Sequence, residues 1–249
     1  MYKLAPEGCP GSPPNQRPES CPRHGKRTLA VPIPENCRVL TVGDGDFSFS
    51  YGLAVSSQFK VVATSFENEA TLRITYPHAP EFISGLTSLP RTKVHFEVDA
   101  TCLAASLSEK VKGRFDVVIW NFPCVRAESG ADGQVDQLTE NQSLIRQFLL
   151  TSKPLLRDER SCIFVAHKTI EPFCWWGIDS IGMECGYSLA AKVQFDICCY
   201  PHYTNRKALD KKSFPSNDAK VAQQSRFKFL IMSLNSATGF HLCTRLGSS

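Results

Sequence analysis

Val39-Leu40-Thr41-Val42-Gly43-Asp44-Gly45-Asp46-Phe47-Ser48-Phe49-Ser50 is the stretch whose reading decides the fold. Mostly β-branched or apolar residues run straight into two glycines one residue apart. A helix-compatible run from Phe47 to Ser57 comes next. The order is strand, tight turn, helix. In an open α/β sheet such a turn lies at the carboxyl end of the first strand, where ligands bind. Glycine permits the tight turn and puts no Cβ between backbone and ligand. Helix-start N–H groups then face that ligand. A Gly-x-Gly pair alone is a weak mark, so the reading depends on the residues at the ends of the later strands.

Six further strands are expected, at Val61–Phe66, Lys93–Val98, Phe115–Trp120, Ser161–Ala166, Leu189–Phe195 and Arg226–Ser233. The first two runs, Arg38–Val42 and Val61–Phe66, are nearly continuous and apolar, as strands covered on both faces are. Lys93–Val98 alternates, which suits a strand near a sheet edge. Between Asn68 and Leu89, Pro77 and Pro80 predict a broken helix. Leu103, Leu107 and Val111 form one helical stripe. Thr139-x-x-Gln142 reads as a capping box for a helix whose inner face is Leu144, Ile145, Phe148 and Leu149. Another helix is expected over Trp175–Cys185, stopped near Gly186. The last two strands suit an antiparallel pair with an enlarged loop. Strand–helix alternation predicts an α/β fold: a seven-stranded, mostly parallel sheet with helices on both faces.

Composition bounds the rest. The chain has 249 residues, 42% of them hydrophobic, enough for one large domain with a full core. Residues 1–34 hold 8 of the 16 prolines, so a disordered tail is expected over 1–35, a folded domain over 36–234 and a flexible tail over 235–249. A net charge of +4 allows a nucleic-acid partner without requiring one. The 11 cysteines include no Cys-x-x-Cys pair, and several sit in apolar runs, which points to free thiols in a reducing compartment. Cys9, Cys21, His24 and Cys37 match no common zinc spacing, so no metal is expected. No apolar run is long enough to span a membrane, and no secretory h-region opens the chain.

Polar residues gather at the expected strand ends. Glu67 lies just after the second strand, about twenty residues beyond the glycine turn, where an acid accepts ribose hydroxyls. Asp99 lies after the third, where a carboxylate either accepts an adenine amino hydrogen or caps the next helix. A dinucleotide fold wants a third glycine where Ser48 stands, and Phe47 beside it fits a pyrophosphate poorly. S-adenosylmethionine has no pyrophosphate, and Gly43, Gly45, Glu67 and Asp99 meet its needs. Asp44 or Asp46 would hold its amino group. Asn121-Phe122-Pro123-Cys124 ends the fourth strand and resembles the Asn-Pro-Pro-aromatic loop of amino-group methyltransferases. Its amide and carbonyls accept hydrogens from a planar base, and the proline stiffens it.

Taken together, the Val42–Ser50 string, Ala63-Thr-Ser65, Val98-Asp-Ala-Thr101, Phe115-Asp through Asn121-Phe-Pro123, and Tyr200-Pro-His-Tyr203 with Lys212-Ser-Phe214 resemble the eukaryotic large-subunit rRNA uridine-N3 methyltransferase-like domain. That domain also occurs fused to a ferredoxin-fold anticodon-binding domain. The resemblance covers about Cys37 to Leu234. It implies a Rossmann-like class I methyltransferase fold, S-adenosylmethionine as cofactor, an RNA base as substrate, and residence in the nucleolus or nucleus, with the cytoplasm as alternative. It implies cofactor contacts at Gly43, Asp44, Gly45, Asp46, Phe47, Ser48, Glu67, Asp99, Ala100 and Asn121. Cys124 stands where the family has histidine, Val125-Arg126 where it has glycines, His202 where it has glycine, and Ala166-His167-Lys168 where it has Thr-Leu-Lys. All four departures lie on the substrate side.

For the chemistry, Asn121, Pro123 and Lys168 are the expected catalytic set. The amide of Asn121 orients the base, and the ammonium of Lys168 stabilises charge developing on the carbonyl oxygens. His167 and Lys168 are adjacent strand residues and so point to opposite faces. Tyr200, Tyr203, Arg206, Lys207, Lys211 and Lys212 are expected to hold RNA by phosphate neutralisation and stacking. The alternatives are a catalytically silent cofactor- and RNA-binding module in ribosome assembly, and a methyltransferase acting on protein or a small molecule.

Overall fold

The computed structural model describes residues 33, 36–107, 113–125, 137–169, 171–195, 200–204 and 227–234. Its strands are β1 (Arg38–Val42), β2 (Lys60–Thr64), β3 (Thr92–His95), β4 (Val117–Asn121), β5 (Cys162–Lys168), β6 (Tyr187–Gln194) and β7 (Phe227–Leu234). They form one sheet in the order β3-β2-β1-β4-β5-β7-β6. The joints from β3 to β5 are parallel, and β7 runs antiparallel to both β5 and β6. The strand order reverses between β1 and β4, so the glycine turn after β1 opens at the crevice where such sheets bind ligands.

Strand alternation divides the core in two. Val39, Val61, Ala63, Val117, Ile119, Phe164 and Ala166 face one side. There they meet α1 (Ser48–Val55), through Phe49 and Leu53, and α3 (Ala79–Ser88), through Ile83 and Leu86. Leu40, Val42, Val62, Val118, Trp120, Ile163 and Val165 face the other side. They pack on α5 (Leu138–Ser152) through Ile145, Phe148 and Leu149, and on α6 (Ile178–Glu184) through Ile178 and Ile181. Each fully buried Leu, Ile, Val or Phe here stabilises the fold by roughly 1.5–3 kcal/mol. Helices thus cover both faces of a mostly parallel sheet.

Local chemistry sets several boundaries. The break expected near Pro77 separates α2 (Glu69–Thr75) from α3, and Pro80 is tolerated in the first turn of α3 because it removes an N–H with no helical partner. Asn68 caps α2, its side chain accepting from Thr71 N at 2.8 Å. The expected edge strand is β3, at the end of the sheet. Some expectations need correction. The Leu103 stripe yields only a short α4 (Leu103–Ser106) among the described residues, after a 3₁₀ turn at Ala100–Cys102. Thr139 and Gln142 do not form a capping box: Gln142 turns away to the carbonyl of Trp176, and Gln137 at the start of α5 makes no side-chain cap. The helix expected at Trp175–Cys185 is divided: a 3₁₀ turn at Phe173–Trp176, a left-handed Gly177, then α6. Among the described residues, no helix is long and apolar enough to cross a membrane. The tails 1–32 and 235–249, and with them Cys9, Cys21 and His24, lie outside the described residues.

Candidate functional site: the carboxyl edge of the sheet

Gly43 has φ +61°, and a Cβ built there would come within 2.7 Å of Trp120 Nε1. Both facts demand glycine: the left-handed backbone, and the indole that closes over the turn from β4. Asp44 ties the turn to β2, its N–H donating to Thr64 O at 2.9 Å. Its carboxylate accepts from Ser50 N at 2.7 Å and from Ser50 Oγ at 2.5 Å. Asp46 Oδ1 accepts from Ser48 N at 3.0 Å, and its Oδ2 accepts from Thr204 Oγ1. Both carboxylates therefore hold the start of α1, whose N–H groups and dipole favour negative charge. Both are buried. Burial, and then the charge of Asp46, push the Asp44 carboxyl up to about 7. Phe47 is also left-handed at φ +62°, and its ring is buried edge-on against Phe96, so only its backbone borders the turn. Ser48 is buried, its Oγ accepting from Thr204 N at 3.1 Å.

The exits of β2 and β3 are stapled side by side. Val98 N donates to Ser65 O at 3.0 Å and Glu97 N to Glu67 O at 3.3 Å. This brings half-buried Glu67 and half-buried Asp99 to one edge. Asp99 Oδ1 accepts from both the N–H and the hydroxyl of Thr101, each at 2.7 Å, so the capping role foreseen for it is present. Ala100 is buried, and its carbonyl accepts from Thr151 Oγ1 at 3.0 Å.

After β4 the chain turns sharply. Asn121 sits beside Ala166 in the parallel β4–β5 register. Its Oδ1 is buried and has no hydrogen-bond partner among the described residues. Phe122 is left-handed at φ +53° and donates its N–H to Ala166 O at 2.9 Å. Pro123 is buried, and Cys124 is half-buried against the α5 side of the core. Val125 N donates to Asn141 Oδ1 at 2.8 Å.

At the end of β5, alternation sends the two neighbours off opposite sides of the strand, yet both side chains end at Phe173. His167 continues the Ile163 and Val165 series onto the α5 face, where its Nε2 meets Phe173 O at 2.9 Å and its ring lies 4.6 Å from that of Trp176. Desolvation pulls the His167 imidazole down to about 4, so it is neutral. Lys168 leaves the strand on the Asn121 side, but its ammonium turns to the same Phe173 that meets His167, 4.2 Å from the ring centroid.

The RNA expectation needs a correction. Tyr200 and Tyr203 are not open to bases: they are 2% and 6% exposed and pack on Phe49 and Phe195. Aromatic rings between polar neighbours serve the core here, because the segment folds back over α1. Gly52 makes this possible, since a Cβ there would lie 2.0 Å from Pro201 O. Arg206, Lys207, Lys211 and Lys212 lie outside the described residues. Two polar residues that the sequence reading passed over are Asn141 and Thr204. Asn141 shares the buried stripe of Ile145, Phe148, Leu149 and Ser152. A polar residue on an apolar stripe was the available signal. Thr204 meets Asp46 across 158 positions, with no local signal.

With this geometry in view, the chain can be set beside known proteins. A family model described as "rRNA (uridine-N3-)-methyltransferase BTM5-like" matches residues 40–207. The chain belongs to this family. The match runs from the middle of β1 to just past Thr204, and so contains the glycine turn, both strand-end acids and the Asn121 loop. Among curated relatives, the uncharacterized Arabidopsis thaliana protein At4g26485 is 31% identical over 173 residues, 68% of this chain and 81% of that protein. Heavy metal-associated isoprenylated plant protein 41 of the same organism is 30% identical over 196 residues, 78% of this chain but only 37% of that longer protein. Among solved structures, a TehB-like SAM-dependent methyltransferase from Corynebacterium glutamicum superposes with a TM-score of 0.45 at 12% identity, covering 82% of this chain and 83% of that one.

Proposed function

We propose that the chain methylates N3 of a uridine in ribosomal RNA, with S-adenosylmethionine as methyl donor. The observation that carries this reading is the buried, unpartnered Oδ1 of Asn121 at the carboxyl edge of β4. A buried acceptor without a donor costs about 1–3 kcal/mol, and a donor from a water, an ion or a ligand relieves that cost. An imide N3–H is such a donor. The cofactor fits the residues present: a turn closed to any Cβ at Gly43, two strand-end acids, and two buried carboxyl groups, which when ionised complement a sulfonium and an ammonium. When bound, it supplies an electrophilic methyl group.

The residues then divide the work. The backbone of Gly43–Ser48 would take the amino-acid end, Glu67 the ribose, and Asp99 with Ala100 the adenine. Asn121 would accept the N3–H and orient the base, while the buried Pro123 holds the loop. Its amide is too weak a base to keep the proton, which leaves to water as the anion forms. Lys168 would stabilise the charge that develops on the uracil oxygens. His167 is kept neutral by burial and is turned to the Phe173 carbonyl, so a role as base is not assigned to it. With ribosomal RNA as substrate, the protein in this reading works in the nucleolus or nucleus.

The test is transfer of labelled methyl to total cellular RNA, followed by nucleoside analysis. N3-methyluridine is expected. Label that resists RNase, or that appears on another base, would refute the assignment. Half-buried Cys124, where the family motif has histidine, favours a second reading: a module that binds cofactor and RNA without transfer. Binding of both with no labelled nucleoside would select it.

A further inference from the structure

The first turns of α5 reach both loops of the substrate rim. Asn141 has no exposed surface. Its Oδ1 accepts from Val125 N at 2.8 Å, and its Nδ2 donates to Gln137 O at 2.8 Å. The next residue, Gln142, directs its Nε2 at the carbonyls of Trp175 and Trp176, at 3.4 and 3.3 Å. One helix end thus meets the loop after β4 and the turn after β5.

An amide offers acceptor and donor in one plane, which an apolar side chain of the same size cannot do. Burying it is costly unless both are paired. Asn141 occupies a position where the stripe of α5 is otherwise mostly apolar, so its pairing to the loop is what makes its burial tolerable. The segment Asn121–Val125 is tethered at each end. Asn121 is fixed in β4 by its register with Ala166, Phe122 is bonded to Ala166 O, Pro123 is buried, and Val125 is fixed by Asn141. Release of the Val125 end removes one of the loop's anchors, the one that comes from α5, while the Phe122 bond to Ala166 O and its ring contact with Phe195 stay.

We propose that Asn141 is a positioning residue: by holding Val125 N–H it fixes the Asn121–Val125 loop, and so sets where the Asn121 amide meets the substrate base. This rests on the proposed methyl transfer to RNA. Asn141 touches no reacting atom; it acts through the loop.

The experiment compares three variants with the wild-type chain, per folded molecule, at saturating S-adenosylmethionine. Asn141→Leu removes both bonds at similar volume. Asn141→Asp keeps an acceptor for Val125 and loses the donor to Gln137. Val125→Pro deletes the N–H from the loop side and leaves α5 intact. The readouts are the single-turnover rate of methyl transfer to RNA, the cofactor dissociation constant, and exchange of the Val125 amide. Expected are a rate lower by about tenfold or more in Asn141→Leu and Val125→Pro, unchanged cofactor affinity in both, faster Val125 exchange in Asn141→Leu, and most of the rate retained in Asn141→Asp. A wild-type rate in Val125→Pro overturns the inference even if Asn141→Leu fails to fold. So does an Asp variant as slow as the Leu variant, or a rate loss matched by lost cofactor affinity. A wild-type chain that transfers no methyl to RNA overturns the methyl-transfer reading itself, and this inference with it.

Discussion

The glycine turn and the rim across from it hold their polar groups by different means. In the turn, bonds join near neighbours: Ser48 to Asp46, two positions apart, and Ser50 to Asp44, six apart. At the rim they span 16 positions between Val125 and Asn141, and 34 between Gln142 and Trp176. A site built from neighbours forms once its turn and helix start form. A site built from distant partners exists only when the sheet is complete and α5 is docked. The side-chain bonds of the glycine turn are therefore mostly local, and those of the rim tertiary. Two longer threads also reach the turn: Asp44 N–H donates to Thr64 O in β2, and Thr204 binds Asp46 and Ser48 from far along the chain.

The largest expected effect cuts the Thr204 thread. Gly52→Ala places a methyl 2.0 Å from Pro201 O, where backbone must move. A loss of about 3 kcal/mol in denaturant unfolding is expected. A loss below about 1 kcal/mol would mean that the Tyr200–Thr204 segment lifts from α1 at little cost, and that the turn holds without it. Next, Gly43→Ala combines a left-handed backbone with the Trp120 contact and should cost about 2 kcal/mol. Adding Trp120→Phe should return part of it; strict additivity in the double-mutant cycle would show that the indole does not confine the turn.

On the rim, Asn121→Ala is expected to lower the methyl-transfer rate more than tenfold, about 1.4 kcal/mol or more of barrier. Because its buried oxygen lacks a partner among the described residues, the same variant should lose little stability, and calorimetry should find cofactor affinity unchanged. Full activity would remove the loop from the mechanism.

The smallest effect is in pH dependence, and there the two regions oppose each other. Asp44 is raised from 3.8 to about 7. Its contribution to stability is full below pH 3.8 and is lost as pH rises through about 7. His167 is lowered from 6.5 to about 4. Its contribution is full above pH 6.5 and is lost as pH falls through about 4. Between these limits the two slopes have opposite sign. Asp44→Asn should leave stability rising with pH across this window, and His167→Phe should leave it falling, as read from urea midpoints. Parallel profiles in the two variants would contradict both assignments. Affinity for a cationic cofactor should also rise with pH near 7 in the wild-type chain and be flatter in Asp44→Asn.

Legibility in the sequence divides the same way. The strand–turn–helix at Gly43, the placement of Glu67 and Asp99 beyond β2 and β3, the broken helix at Pro77 and the edge position of β3 were legible, because period and turn chemistry are local properties. Tyr200 and Tyr203 misled, because an aromatic beside lysines looks the same whether it faces RNA or Phe49. The Thr139-x-x-Gln142 pattern misled for a related reason: a glutamine that could return to its own helix start instead finds the carbonyls of Trp175 and Trp176, which no local pattern announces. Asn141 was passed over although its place on the α5 stripe marked it.

The sheet order has a consequence for how the chain emerges during synthesis. β7 lies between β5 and β6, and among the described strands β6 pairs with β7 alone. When β6 has been made, its partner has not, and β5 still presents an open edge. The parallel strands β1 to β5 can assemble in turn as they appear, but the eight residues of β6 must wait for β7. Until then the nascent chain carries one open edge of β5 and a wholly unpaired β6, the condition under which strands pair wrongly with other chains. Phe227–Leu234 is thus the keystone of the sheet: a chain cut before it would retain the glycine turn and the strand-end acids, yet leave β5 as an exposed border.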